Sequence, residues 1–369
     1  MKKLGFGIMR MPLTNENDPA SIDLKKSGEM IDRFMKAGFN YFDTAYPYHN
    51  GMSERALKEL LVKKYPRDSF VIADKLPSFL LKKSEDCERI FREQLERTGV
   101  EYFDIYLIHD LGAVTYETAK ETGAFEFIEK MKKEGRVKLT GFSFHDSVEV
   151  LERILDEHPE VDIVQLQVNY VDWDSDSVEA EKCCELCKKR GKKIVVMEPV
   201  KGGMLARIPE EAEKLLLEHK PDMSIPSWAI RFCAGVENVI CVLSGMSNME
   251  QLNDNISYMS DFKPLTAKER ELLKKAEAII KANVNVPCTG CAYCVSGCPM
   301  EINIPRIFLM YNGIKIYGNL SHQRHYYRNY VLDHARATDC IECGACEEIC
   351  PQHIKIREEL KKAAMQLEV

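Results

Sequence analysis

Eight cysteines toward the end of the chain stand in two copies of one pattern, Cys288-Thr-Gly-Cys291-Ala-Tyr-Cys294-Val-Ser-Gly-Cys298-Pro299 and Cys340-Ile-Glu-Cys343-Gly-Ala-Cys346-Glu-Glu-Ile-Cys350-Pro351. Each reads C-x2-C-x2-C-x3-C-P, a spacing that lets three close thiolates reach three irons of one [4Fe-4S] cube. The fourth cysteine, carried away by the turn at the following proline, is placed to ligate the other cube. A pair of zinc sites is the alternative that thiols alone leave open. Repetition of the full spacing with the same terminal proline favours two clusters. What their electrons serve depends on the longer segment that precedes them.

That segment alternates short apolar, β-branched runs with charged amphipathic stretches. The predicted strands are Leu4–Met9, Asn40–Thr44, Phe70–Lys75, Asp104–His109, Lys138–Ser143, Ile163–Asn169, Ile194–Glu198 and Val239–Ser244. Predicted helices are Leu24–Ala37, Glu54–Lys64, Ser84–Thr98, Ala124–Glu134, Ser147–Glu157, Val178–Arg190, Ser224–Ala234 and Glu250–Tyr258. Eight strand–helix repeats over roughly 250 residues predict an α/β fold of the closed (β/α)8 TIM-barrel type. No G-x-G-x-x-G follows the first strand, which argues against an open dinucleotide-binding sheet. In such a barrel the reactive groups gather where strands end. Those ends carry Asp43, Lys75, His109, Ser143 and Gln167-Val-Asn169, and Tyr48 lies five residues past Asp43 on the first long loop.

These segments resemble the aldo/keto reductase superfamily, and with the cluster tail the whole chain resembles its iron–sulfur branch. The resemblance rests on Phe42-Asp43-Thr44-Ala45-Tyr-Pro-Tyr48-His-Asn-Gly51-Met-Ser53-Glu54, Ala73-Asp-Lys75-Leu, Asp104-Ile-Tyr-Leu-Ile-His109, Gly141-Phe-Ser143 and Gln167-Val-Asn-Tyr170. It implies a catalytic tetrad of Asp43, Tyr48, Lys75 and His109. The chemistry has its own logic. Hydride added to a carbonyl carbon leaves an alkoxide that needs a proton, and a phenol of pKa near ~10 gives one up more readily beside a cation. Lys75 is expected to be that cation, Asp43 to fix it, and His109 to orient the carbonyl oxygen. His145 and His49 are further candidates near the mouth. The rim loops Leu111–Gly123 and Val171–Ser177, with Trp173 and Tyr170, are expected to set specificity.

The resemblance also implies a nicotinamide cofactor, NAD(P)H, held by Ser143, Gln167, Met197, Lys201, Gly202, Gly245, Ser247, Gln251 and Asn255. Met197 stands where many members stack a tyrosine on the nicotinamide ring. The stretch Leu243–Asn255 contains no Lys or Arg, so NADH is favoured over NADPH. FMN is admitted as well, because clusters pass single electrons and a nicotinamide exchanges a pair. The alternatives to a carbonyl/alcohol oxidoreductase are therefore a flavin-dependent reductase fed by a ferredoxin-type partner, and a regulatory or electron-carrier subunit.

Composition narrows the setting. The chain has 369 residues and a formal charge of -7, which argues against nucleic acid and anionic membrane as partners. Cluster ligation adds about four further negative charges. No apolar run approaches the ~20 residues a membrane span needs, and no secretory leader is evident after Met1-Lys-Lys. Cysteines at metal-ligand spacing in a long chain point to a reducing cytoplasm. The remaining cysteines, Cys183-Cys184-Glu-Leu-Cys187 with Cys87, Cys233 and Cys241, read as core thiols. The expected division is a barrel over 1–283 and a small, mostly α-helical dicluster ferredoxin-like domain over 284–369. Helix Ala267–Asn283, capped by Thr266 and Glu269, lies just ahead of that boundary, and Ile356–Leu367 is expected as a polar surface helix.

Overall fold

The computed structural model describes residues 2–16, 18–175, 178–317, 320–332 and 334–369. Eight strands close into one parallel barrel in sequence order. They are β1 (Leu4–Gly7), β2 (Tyr41–Asp43), β3 (Val71–Pro77), β4 (Phe103–Leu111), β5 (Val137–Phe144), β6 (Ile163–Gln167), β7 (Lys193–Met197) and β8 (Val239–Ser244). All eight predicted strands are present, within a few residues of the expected ends.

Side chains alternate along a strand, so residues two apart share a face. Tyr41, Ala73, Ile105, Leu107, Ile163, Val195, Cys241 and Leu243 form a buried apolar cluster. Continuing the same parity toward the strand ends gives Asp43, Lys75, His109, Ser143, Gln165, Gln167 and Met197. One face of the strands thus changes from apolar to polar over two residues. Register places Asp43 beside Ala73, Lys75 beside Leu107, Ser143 beside Gln165, and Gln167 beside Met197.

Three helices support the part of the wall that matters most. They are α1 (Leu24–Lys36), α2 (Met52–Leu57, continued by a wider turn over Lys58–Val62) and α3 (Glu85–Thr98). Helix α3 carries acidic residues in its first turn, which suits the positive end of the helix dipole, and stops at Gly99 in the left-handed region, φ 73°. Its buried stripe runs Cys87, Ile90, Phe91, Gln94, Leu95 and Thr98 at helical spacing, with one amide among apolar groups. Between β4 and β8 two helices were not expected: Ala113–Glu121, inside the stretch read as a rim loop, and Glu210–His219, between β7 and β8. The second half of the other rim loop ends at Asp176 and Ser177, which lie outside the described residues.

The chain forms two compact units, Met1–Pro199 with Ala229–Leu265, and Val200–Trp228 with Thr266–Val369. The second unit therefore draws in residues that precede the expected boundary at 284. Its helix Ala267–Asn283 opens with the expected capping box, the Glu269 N–H donating to Thr266 Oγ1 at 3.2 Å and the Thr266 N–H to Glu269 Oε2 at 2.7 Å. The buried Glu269 also meets Lys220 at 2.8 Å. Helix Ile356–Leu367 is not a surface tail. It buries Ile356, Leu360, Ala363 and Leu367 in a core with Ile307, Phe308, Tyr311 and Tyr327. Its apolar residues recur at helical spacing, and burying them outweighs the polarity of the opposite face. Among the described residues no helix is long and apolar enough to cross a membrane.

At Gly141 on β5 a methyl group would lie 1.9 Å from the Ile163 carbonyl oxygen on β6. Only a residue without Cβ lets the strands approach here. Gly141→Ala is expected to cost roughly 1–3 kcal/mol as β5 and β6 part, read as a lower urea midpoint in the full chain.

Candidate active site and cluster cradle

The polar end of the first unit's strands centres on an ion pair. Lys75 Nζ donates to Asp43 Oδ1 at 2.5 Å and to the Thr44 carbonyl oxygen at 2.7 Å. Both side chains are buried, at 1% and 4% exposure. Burial pushes the Asp43 carboxyl above its ordinary range, while Lys75 and the Gln165 amide pull it down. Gln165 was missed in the sequence because it sits inside β6 and not at its end. The two-residue register that brings Gln167 inward brings Gln165 as well.

Tyr48 follows β2 on a short turn whose next two residues, His49 and Asn50, are left-handed at φ 52° and 54°. Its ring centre is 5.1 Å from Lys75 Nζ and 5.9 Å from the His109 ring, which meets it edge-on at 82°. Asp43, Tyr48, Lys75 and His109 are thus gathered at one place. The expectation that Lys75 lowers the phenol differs from what the surroundings produce. Burial raises the Tyr48 pKa well above the usual value, and the negative charges of Asp43, Asp110, Asp74 and Glu198 add to it. The lysine's charge is largely answered by Asp43 before it reaches the phenol.

His109 is held through its main chain, whose oxygen accepts from Ser78 Oγ at 2.6 Å. Its Nδ1 is buried with no hydrogen bond among the described residues. Burial, then Lys75, then His145 drive its pKa well below the usual 6.5, so the ring is neutral. Phe79, exposed at the rim, tilts toward the same ring at 5.8 Å and was not foreseen. His145 Nε2 lies 3.8 Å from Asp110 Oδ1. His49, in contrast, points into the wall, Nδ1 to the Pro19 carbonyl oxygen at 2.8 Å and Nε2 to that of Ile8 at 3.0 Å. Tyr170 and Trp173 both pack on Phe232.

The residues expected to hold a nucleotide divide between the units. Ser143 Oγ accepts the Asp110 N–H at 2.8 Å and keeps its own proton to donate. Gln167 Nε2 and Asn169 Nδ2 both donate to Asp172 Oδ2, at 3.1 and 2.8 Å. Past β8, the Ser247 N–H is taken by Gln251 Oε1 at 2.7 Å, and Asn255 Nδ2 donates to Ser244 Oγ at 2.7 Å. This segment has no cation of its own but is served by two from elsewhere. A methyl at Gly245 would lie 3.2 Å from Arg10 Cδ, and Arg33 Nε donates to Asn253 Oδ1 at 2.9 Å. A donor-rich mouth, a helix N-terminus and the Arg10 cation fit a nucleotide with phosphates. Lys201 and Gly202 belong to the second unit. There Gly202, at φ +64°, faces the cluster loop, and a Cβ on it would lie 1.7 Å from the Thr289 carbonyl oxygen.

In that unit Cys340, Cys343 and Cys346 share the wall of one hollow with Cys298 from the other run. Cys294 lies among Cys288, Cys291, Cys350 and Cys346, whose charges add to burial in raising its pKa. Each run's last cysteine therefore stands with the other run's first three. Four sulfur donors around each position fit an iron–sulfur cube. Cys343 is exposed, as is its neighbour Ile341. Cys87, Cys183, Cys184, Cys187, Cys233 and Cys241 are buried, with thiol pKa values raised by burial.

Comparison with known proteins identifies the family of each part. The model of the aldo/keto reductase family matches residues 3–278, and that of the 4Fe-4S dicluster domain matches residues 287–354. L-galactose dehydrogenase of Arabidopsis thaliana is 25% identical over 305 residues, covering 77% of this chain and 92% of the relative. NADH-specific methylglyoxal reductase of Escherichia coli is 24% identical over 277 residues, covering 62% and 82%. An aldo-keto reductase of Bacillus halodurans, in its holo form, superposes with a TM-score of 0.61 at 25% identity, covering 74% of this chain and 91% of that one.

Replacing Lys75 by Met would leave Asp43 buried without its cation, a loss of roughly 3–5 kcal/mol in chemical denaturation. Because Lys75 also holds the His109 pKa down, the His109 midpoint followed by NMR should rise in the same variant.

Proposed function

The chain belongs to the aldo/keto reductase family and carries a 4Fe-4S dicluster domain, and on that premise we propose that it interconverts a small carbonyl compound and its alcohol by hydride transfer. The observation that carries this reading is the meeting of Tyr48, Lys75 and His109 around the buried Asp43. A bound nicotinamide nucleotide supplies the hydride. The protein's own part is to hold the carbonyl oxygen and deliver a proton. A neutral His109 orients the oxygen by hydrogen bonding without competing for that proton. Tyr48 is the donor. Its raised pKa keeps the phenol protonated across the neutral range, and an alkoxide is a far stronger base than a phenolate. Lys75, 5.1 Å from the ring centre, steadies the negative charge that remains on Tyr48. In the oxidative direction the same groups act in reverse, and turnover should climb with pH as the phenol ionises.

Cys288, Cys291, Cys294 and Cys350 would hold one [4Fe-4S] cluster, and Cys340, Cys343, Cys346 and Cys298 the other. The exposed Cys343 makes the second cluster the natural point of exchange with a ferredoxin-type partner in a reducing cytoplasm. That exchange favours a second reading, in which FMN occupies the mouth and converts single electrons to pairs. The substrate class follows the relatives, which act on sugars and on methylglyoxal by name. NADH and NADPH are both proposed as the nicotinamide, because the segment after β8 lacks basic residues of its own while Arg10 packs against Gly245 and can meet a 2′-phosphate.

Three measurements test this. Tyr48→Phe should lower turnover of methylglyoxal with NADH by about 10²–10⁴-fold while the visible cluster spectrum stays unchanged, and wild-type activity would remove Tyr48 from the reaction. Acid precipitation of anaerobically purified protein should release a nicotinamide nucleotide, whereas stoichiometric FMN would replace it by the flavin reading. Arg10→Ala should raise KM for NADPH and spare that for NADH, since only the former carries a 2′-phosphate for a guanidinium to meet.

A further inference from the structure

Behind Lys75, on the helix side of β3, the wall contains two carboxyl groups that the reaction does not use. β2 pairs with β3 only as far as Ala73, whose oxygen accepts the Thr44 N–H at 2.9 Å. In a parallel strand the N–H and C=O of residues two apart face the same neighbour. Lys75 therefore presents both groups to the side that β2 has left. Side chains fill the vacancy. The Lys75 N–H donates to Asp74 Oδ1 at 2.8 Å, and Gln94 Nε2 donates to the Lys75 carbonyl oxygen at 3.1 Å.

Gln94 Nε2 lies also 2.7 Å from Asp74 Oδ1 and 3.0 Å from Glu54 Oε1, while Gln94 Oε1 accepts from Tyr106 Oη at 2.6 Å. Glu54 Oε2 accepts from Arg97 Nη1 at 3.1 Å. Glu54, Asp74 and Gln94 have no exposure, and the single Gln94 Nε2 bridges one oxygen of each carboxyl group. The donors do not suffice. Five oxygens, counting those of both carboxyls and the Lys75 carbonyl, face the two hydrogens of Gln94, the Arg97 N–H and the Lys75 N–H. Asp74 Oδ2 is buried with no donor among the described residues. One proton between the carboxyls supplies what is missing.

We propose that Glu54 and Asp74 share a single proton, and that this protonated pair is the positioning element that fixes the main chain of Lys75 where β2 leaves the barrel. The charges around it agree. From α3 only Arg97 faces the pair as a cation, and it is shared with Glu93 at 3.4 Å and stacked over Tyr46 at 4.1 Å. From β4 comes the neutral Tyr106, and Cys87 on α3 lies beyond it. Lys75 Nζ is committed to Asp43. Two full negative charges opposite one shared cation would not be tolerated in this burial. Burial, then mutual repulsion, raises Asp74 well above the carboxylate range. Burial also takes Glu54 to about 7.

The positioning role rests on the catalytic reading of Lys75, while the shared proton does not, so the test separates them. In the full chain at pH 7, infrared difference spectroscopy should show the carbonyl band of a buried protonated carboxyl, absent from Asp74→Asn and Glu54→Gln. A native pKa above the unfolded one means that the folded state holds protons the unfolded state has released. Stability should therefore fall as pH rises from 4.5 through about 7, and this slope should flatten in both amide variants. Lack of the band in the wild type, or its persistence in both variants, overturns the shared proton. With methylglyoxal and NADH as probes, Asp74→Asn keeps an acceptor for the Lys75 N–H and puts an amide N–H where the shared proton stood, so it should retain kcat, whereas Asp74→Ala should lose about 10- to 100-fold. A folded Asp74→Ala with wild-type kcat overturns the positioning role. If that variant does not fold, loss of kcat in Asp74→Asn overturns it instead.

Discussion

The contact between Lys75 and Asp43 is the constraint around which the first unit is arranged. Two opposite charges almost sealed from water attract strongly, but each has given up hydration worth about as much. The pair is therefore not a large source of stability. Its force is conditional: neither member can be removed, turned or neutralised without stranding the other. That condition fixes which face of β2 and β3 turns inward and obliges the apolar layer around Tyr41 and Leu107 to stop short. It also explains why the strand ends carry amides and hydroxyls, which can finish the solvation that the two ions lack.

The same pair shapes the electrostatics of the mouth. A free lysine would pull the neighbouring phenol toward ionisation, but here the paired carboxylate at 2.5 Å offsets that pull and burial outweighs it. Tyr48 and His109 are each driven by burial toward their neutral forms. Around the Lys75–Asp43 pair the two rings are thus uncharged at rest.

Much of this was legible in the chain. Eight β-branched runs at regular spacing gave the barrel because parallel strands buried on both faces need that composition. Asp43, Lys75 and His109 stood out because a polar residue ending an apolar run is locally odd. Gln165 and Gln94 did not stand out. An amide in the middle of a strand or helix carries no sign of its partner, and its use appears only when another element supplies the carboxyl. Arg10 was invisible for a related reason, since the segment after β8 looked devoid of cations until the turn after β1 laid one across Gly245. Helix Ile356–Leu367 was misjudged because its charged face dominates the sequence, while its narrow apolar stripe decides its place.

Gly202 meets Thr289 so closely that a stretch lying between β7 and β8 helps to build the seat of the first cysteine loop. The helices Glu210–His219 and Ala267–Asn283 belong to the same compact body. The compact unit that contains the cysteine runs thus also contains chain from well ahead of them. A gene fragment cut ahead of Cys288 would carry all eight cysteines of the two repeated runs and lack part of the compact unit that contains them.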